Sequence, residues 1–348
     1  MASDPKSARG GRARSRREPG ISDVAAAAGV SVGTVSHVLN RPEVVALRTR
    51  ERIERVMLEL GFVPDLSARR LRLGMGRVIG VQVLDIANPF WGEVVRGVEE
   101  SARAAGYVIM VFSSSESAEI EARNLDLLRL HRVDGLLIAP VATDERRLRE
   151  IDARGTPVVL LDHRSERGRL PAVTVDDVLG GVMAAEYLRG RGHERIAFVT
   201  GPLDIAAYRD RRAGVRSVLR RRQRQCEEVV EVRVAGLNAR EGAAAVQRLL
   251  SRDPRPTAVL CANDLLALGV LRGLTERGVR VPEDVSLIGY DDLDFSAMLS
   301  PALTTIRQHP FRIGQSAGEL LIARLTDPDL SAPRQLLFEP ELVVRASA

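Results

Sequence analysis

The 348-residue chain is poor in the residues that build metal sites and disulfide scaffolds. Its two cysteines, Cys226 and Cys261, have neither zinc-motif spacing nor a disulfide framework, so both read as buried small hydrophobes in a reducing compartment. Five histidines are scattered without an H-x-x-x-H pair, so no metal site is expected, and no cofactor. Aromatic residues make up 3% of the chain, and Trp91 is the single tryptophan. No apolar run approaches the roughly 20 residues of a membrane-spanning helix, so no membrane partner is expected. Charge is plentiful and unevenly placed. Residues 1–76 carry 14 Lys/Arg against 8 Asp/Glu, whereas the remainder carries 37 against 38. The positive excess is therefore concentrated near the N-terminus, where a phosphate-neutralising module would need it.

Within that basic region, Ile21–Asn40 (ISDVAAAAGVSVGTVSHVLN) reads as two short helices joined by a tight turn. Ser22 is expected to cap the first, and Val24, Ala25 and Ala28 recur at helical spacing. Gly29 suits the left-handed position that ends a helix, and Ser31 caps the second. Val35, Val38 and Leu39 would face inward, leaving Val32, Gly33, Ser36 and His37 outward. This is the pattern of a helix-turn-helix whose second helix enters the major groove of duplex DNA. Ser31, Thr34 and Ser36 suit close approach and phosphate contacts, and Asn40 closes the candidate DNA-binding set. A third helix is expected over Arg48–Leu60, with Ile53, Val56, Met57 and Leu60 on its apolar face and Gly61 ending it. Residues 1–20, rich in Arg, Ser, Gly and Pro, read as a disordered basic tail.

The segment Asp23–Asn40 contains every fixed letter of DVAxxAGVSxxTVSxVLN. On that motif the chain resembles the lactose-repressor (LacI-type) family of bacterial transcription regulators. The resemblance extends over nearly everything after residue 20 and implies a domain plan. Residues 21–64 would be the DNA-binding domain, and 65–76 a hinge helix and linker that order when two subunits pair on the operator. Leu71 would wedge into the minor groove, with Ala68 and Arg69 in close groove contact. Asp65 departs from the family's usual Asn, and a carboxylate near phosphates is mildly unfavourable.

From Arg77 onward, strand-like apolar runs alternate with amphipathic helical stretches. The runs are 78–84, 107–112, 134–139, 157–161, 195–200, 257–262 and 285–290. That rhythm implies βαβ units and parallel sheets, which bind ligands at their carboxyl ends. The expected fold class is thus an all-α helix-turn-helix headpiece plus an α/β, periplasmic-binding-protein-like core of two doubly wound parallel-sheet subdomains. The resemblance places these at about 77–176 plus 308–336 and 177–307 plus 337–348. With no leucine-heptad helix after ELVVR, a homodimer is expected.

Polar and aromatic residues stand at several strand ends. The resemblance assigns Phe90, Trp91 and Arg211 to effector contact. Asn88, Asp162, Asp176, Asn263 and Asp291 complete the candidate effector set, which suits a polyhydroxylated ligand, a carbohydrate. Leu237 and Ala207 differ from better-known members, so ligand identity does not carry over. Three motifs point elsewhere and are discounted. Ser15-Arg16-Arg17 imitates an export signal, but Asp23 interrupts the apolar region. Gly314–Gly318 spells G-x-S-x-G, yet the last histidine, His309, precedes it. Gly74, Gly76 and Gly80 precede the first strand instead of following it, contrary to a dinucleotide loop. The expectation is a cytoplasmic, nucleoid-associated regulator, most readily a repressor and not an enzyme. It would bind double-stranded, pseudo-palindromic operator DNA under control of a small effector. The alternative is an exported solute-binding protein of a sugar transporter.

Overall fold

The computed structural model describes residues 19–41, 44–62, 77–165, 168–220, 230–327 and 335–348. Most of the basic tail, the hinge with Ala68, Arg69 and Leu71, and Cys226 lie outside the described residues. The chain divides into two compact units, Met1–Met75 and Gly76–Ala348.

The first unit contains α1 (Ile21–Ala28), α2 (Val32–Asn40) and α3 (Leu47–Leu60). Helix α1 starts two residues earlier than a Ser22 cap would place it. Gly20 is its N-cap, and the Asp23 carboxylate reaches back to accept the Gly20 N–H at 2.7 Å. That contact leaves Ser22 inside the first turn, with no capping role. Gly29 (φ 63°) and Gly61 (φ 64°) take the left-handed conformation that ends α1 and α3. The α1 and α2 axes bend by 108°, within the range of helix-turn-helix pairs. Val24, Ala25, Ala28, Val35, Val38 and Ile53 form one buried cluster, with Leu39, Val56 and Met57 packed against it. Leu60, on the same face as Ile53 but at the last position of α3, does not join it and is exposed.

In the second unit, a six-stranded sheet has the order β11-β5-β4-β3-β1-β2. Its strands are β1 (Val78–Val83), β2 (Val108–Ser113), β3 (Gly135–Ile138), β4 (Val158–Leu161), β5 (Ala172–Val175) and β11 (Gln335–Phe338), all paired in parallel. Helices α4 (Pro89–Ala104), α5 (Ala118–Leu130), α6 (Glu145–Ala153) and α11 (Pro310–Thr326) accompany it. A four-stranded parallel sheet has the order β7-β6-β8-β9. It comprises β6 (Ile196–Thr200), β7 (Val230–Arg233), β8 (Ala258–Cys261) and β9 (Ser286–Ile288), with α7 (Asp177–Gly190), α8 (Ala206–Arg220), α9 (Ala239–Leu250) and α10 (Asp264–Thr275). An antiparallel pair, β10 (Thr305–Arg307) with β12 (Glu341–Val343), completes the unit. The chain passes between the two halves at Asp176, at 308–309 and at 339–340. Strand β11 runs through Phe338, beyond the division expected at 336.

The core strands are short and buried on both faces, so they carry apolar runs instead of alternation. Several strands hidden from sequence inspection are three or four residues long. β5 (AVTV) is broken by a threonine, and β11 is an exposed edge. The G-x-S-x-G segment lies inside α11, where its glycines serve packing. A methyl group on Gly314 would overlap the Val94 carbonyl oxygen, and one on Gly318 would crowd Ser101. Helices α4 and α11 thus meet backbone to backbone, which excludes the exposed strand-to-helix elbow a serine nucleophile needs.

Candidate functional site

The amino end of α2 is built by a serine cap. Ser31 Oγ accepts the Thr34 N–H at 3.1 Å and lies 2.9 Å from the Thr34 hydroxyl. Thr34 is therefore committed to holding the helix start. Val32 is 45% exposed, Gly33 and His37 are exposed, and Ser36 is half-buried with a partner. Asn40 ends the helix. The outward face consequently offers a branched apolar group, a bare backbone and one imidazole. A Cβ on Gly33 would meet only Ser31 Oγ, at 3.5 Å, so packing within the unit does not require glycine there.

In the second unit, residues from the carboxyl ends of both sheets converge on Arg211. This side chain, on α8, is 4% exposed. Its Nε donates to Asp177 Oδ1 at 2.7 Å and its Nη1 to the Ala262 carbonyl at 2.6 Å. The guanidinium lies 3.7 Å from the centre of the Tyr290 ring and 4.0 Å from Asp291 Oδ1. An anion, a carbonyl and an aromatic face therefore fix its fork in place.

Acids outnumber this cation. Burial pushes the Asp162 carboxyl well above its ordinary range, the charge of Asp177 adds to the effect, and Arg211 opposes it. Burial likewise raises Asp291 to about 8, while Arg211 and hydrogen bonds from Gln308 and Asn88 work against the rise. Arg211 is held well above its usual value: burial opposes its charge, but Asp177, Tyr290, Asp291 and Asp162 outweigh that. Three cleft acids or their neighbours also adopt left-handed backbone, Asp162 (φ 50°), Asp291 (φ 117°) and Asp292 (φ 57°). Such strain concentrates at functional sites.

The remaining candidates divide by what already occupies them. Asn88 caps α4, its Oδ1 accepting Phe90 N–H at 3.0 Å, and it also reaches Asp291 from the opposite sheet. Phe90 and Trp91 are each 3% exposed and pack edge to face at 5.1 Å. Asp176 caps α7 and pairs with Arg164 at 3.3 Å. Asn263 is spent on structure: Oδ1 accepts Leu266 N–H at 2.8 Å, and Nδ2 donates to the Leu237 carbonyl at 3.2 Å. The structure thus joins Asn88, Asp162, Arg211 and Asp291 in one cluster and makes Asn263 and Asp176 chiefly helix caps.

Sequence inspection missed Glu116, Tyr208, Tyr290 and Gln308. Gln308 Nε2 donates to Asp291 Oδ1 at 2.6 Å, and the Tyr208 hydroxyl donates to Glu116 Oε1 at 2.7 Å. Tyr208 stands one helical turn before Arg211 and Tyr290 directly before Asp291, and those spacings could have drawn attention to them. Among the described residues, Asp291 Oδ2, Gln308 Oε1 and Thr200 Oγ1 are buried without a hydrogen-bond partner in the chain. Buried polar atoms of this kind at strand ends mark a place for a polar ligand.

A helix-turn-helix unit and a two-sheet ligand-binding core define the class of ligand-responsive DNA-binding proteins. The comparisons narrow this to a family. The pattern described as "Bacterial regulatory proteins, lacI family" matches residues 20–65, and "Periplasmic binding protein-like domain" matches 185–348. The chain is 37% identical over 330 residues to the ribose operon repressor of Escherichia coli, covering 94% of this chain and 99% of that one. It is 34% identical over 328 residues to the HTH-type transcriptional repressor PurR of Vibrio atlanticus, covering 94% and 98%. The lac repressor dimer bound to operator and an anti-inducer superposes with a TM-score of 0.76 at 30% identity, covering 95% and 99%. A LacI family regulator of Enterococcus faecalis with bound ribose gives 0.71 at 32%, covering 78% and 98%. The chain belongs to the LacI family of bacterial transcriptional regulators.

Proposed function

We propose that this protein is a repressor that binds a pseudo-palindromic operator as a homodimer and is controlled by a neutral, polyhydroxylated effector, a carbohydrate. Ser31, Val32, Gly33, Thr34, Ser36, His37 and Asn40 form its major-groove element. Ala68, Arg69 and Leu71 act in the minor groove. It works in the cytoplasm, on the nucleoid, and performs no catalytic step. Among the described residues, no single helix is long and apolar enough to cross a membrane. The passages at 176, 308–309 and 339–340 serve as the hinge between the two halves of the core.

The observation that carries the effector class is the charge balance around Arg211. A single guanidinium, already paired with Asp177, faces further carboxyls at Asp162 and Asp291. A phosphate or carboxylate ligand would add negative charge to a buried acidic cluster. Neutral hydroxyls can instead donate to carboxylates and accept from protonated ones. Ribose, the ligand named for the Enterococcus faecalis structure, satisfies this chemistry, and ribose 5-phosphate does not. Control follows from linkage: an effector that prefers one core arrangement shifts operator affinity by the same coupling, of order 1–3 kcal/mol.

The test is fluorescence anisotropy with duplex DNA from upstream of the gene, at fixed salt, with neutral sugars and their phosphates added in turn. A neutral sugar should change operator affinity roughly 5- to 150-fold, and the phosphates should be inert. A response confined to phosphorylated ligands would overturn the effector class. No specific DNA complex under any condition would overturn the regulator.

A further inference from the structure

Most of the cleft chemistry belongs to one half of the core or the other, but the hydrogen bond between Tyr208 and Glu116 joins the two. Glu116 lies just after β2 of the six-stranded sheet, and Tyr208 lies on α8 beside the four-stranded sheet. The two residues are 92 positions apart, and the Tyr208 hydroxyl donates to Glu116 Oε1 at 2.7 Å. Tyr208 is 6% exposed, and its ring centre is 5.9 Å from the Arg211 guanidinium.

The loop that presents Glu116 is held in an unusual shape. Ser115 and Glu116 have consecutive positive φ values of 49° and 58°, which non-glycine residues rarely adopt. The Glu116 N–H donates to the Leu84 carbonyl at 3.2 Å, and Ser117 N–H to the Ser114 carbonyl at 2.9 Å. Ser113 Oγ accepts the Ile86 N–H at 3.2 Å. These bonds tie the loop to the end of β1 and point the carboxylate across the cleft. Burial pushes the Glu116 carboxyl up, the bond from Tyr208 pulls it down, and Asp85 adds to the rise. The bond therefore supports an anion that would otherwise be poorly placed.

We propose that Tyr208 and Glu116 are positioning residues that form a latch across the cleft. The Tyr208 hydroxyl occupies the Glu116 carboxylate when the two halves are together, and an effector enters by replacing that hydroxyl with one of its own. This rests on reading the cleft as the effector site. The nearby contact between Asn88 and Asp291 also bridges the halves, but each of those residues has another partner, and Asn88 caps α4. The pair Tyr208–Glu116 is thus the bond whose loss should most directly free the halves.

Trp91, the single tryptophan, reports on this directly. It lies in the first turn of α4, three residues after Asn88, which reaches Asp291 of the other half, so separation of the halves should expose that turn. Acrylamide quenching of Trp91 in the full-length protein, without DNA or added ligand, should show a low quenching constant. Tyr208→Phe removes one oxygen and should raise the constant about threefold with unchanged circular dichroism. Glu116→Ala should do the same, and the double variant should exceed neither single, because both break one bond. Glu116→Gln retains an acceptor oxygen and should restore much of the protection. Wild-type quenching in both single variants, or fully additive increases in the double, would overturn the latch. If Glu116→Ala does not fold, Tyr208→Phe and Glu116→Gln still decide the matter. The assay uses neither operator nor effector, so its failure leaves the proposed function standing. Loss of sugar control in anisotropy, with quenching as expected, would strike only the proposed function.

Discussion

The two compact units place their chemistry in opposite ways. The helix-turn-helix shows an outward face that is small and nearly uncharged: Val32, Gly33 and His37. The core buries its charge, enclosing Arg211 among Asp177, Asp162 and Asp291. Exposed positions on a rigid helix can change without disturbing the fold, whereas buried charges depend on one another. The first unit should therefore tolerate substitution and lose selectivity, and the second should lose stability and response together.

Arg211→Ala is the severest break in that contrast. Removing the cation leaves Asp177 and Asp291 buried without compensation, at a cost of about 3–5 kcal/mol. Denaturant unfolding of the full chain should show this, and effector response should disappear. Arg211→Lys, which cannot reproduce the fork to Asp177 and Ala262, should fall between. Next is Gly97→Ala. An added methyl would overlap the Phe311 carbonyl and push α4 from α11, costing roughly 1–3 kcal/mol in the same assay.

The acidity of Asp291 sets a pH dependence with a definite sign. Its folded value is raised from 3.8 to about 8. At low pH the carboxyl is protonated in both folded and unfolded chains and costs nothing. As pH climbs from about 4 to about 8, the unfolded chain ionises while the folded one resists, so this group makes stability fall across that window. Asp264, raised to about 6, acts in the same direction over a narrower range. Unfolding midpoints measured from pH 4 to 8 should show a smaller decline in Asp291→Asn than in wild type. An equal decline would remove Asp291 as its source.

The smallest effects on stability belong to the helix-turn-helix. Ser31→Ala should cost about 1 kcal/mol through the lost cap. Gly33→Ala should change stability by less than that, because the space at Gly33 is open. His37→Ala should cost about 1–3 kcal/mol of discrimination between operator variants while sparing the fold.

The same contrast explains what the sequence made legible. Local rules found the headpiece, since Val24, Val35 and Ile53 follow helical spacing and Gly29 and Gly61 occupy the stops. They erred at Ser22, where Asp23 reaching Gly20 decided the start. They erred at Leu60 as well, where exposure depends on which neighbours exist. In the core, the longer apolar runs marked seven strands, but β5, β7, β10, β11 and β12 were too short or too exposed to stand out. Arg211 was assigned through family resemblance, while its partner Asp177 was not recognised as an ion pair. Nothing in local pattern joins Glu116 to Tyr208 or Gln308 to Asp291. Those contacts exist only because three chain crossings bring distant strand ends together.

A neutral sugar in the acid-rich cleft controlling DNA binding by the headpiece is what most needs testing. The most direct measurement is operator affinity at fixed salt across a ribose titration, run in parallel with calorimetric binding of ribose to the same protein. Operator affinity should change roughly 5- to 150-fold with the midpoint of ribose binding, and Tyr208→Phe should shift this midpoint. Calorimetric saturation by ribose with unchanged operator affinity would contradict it.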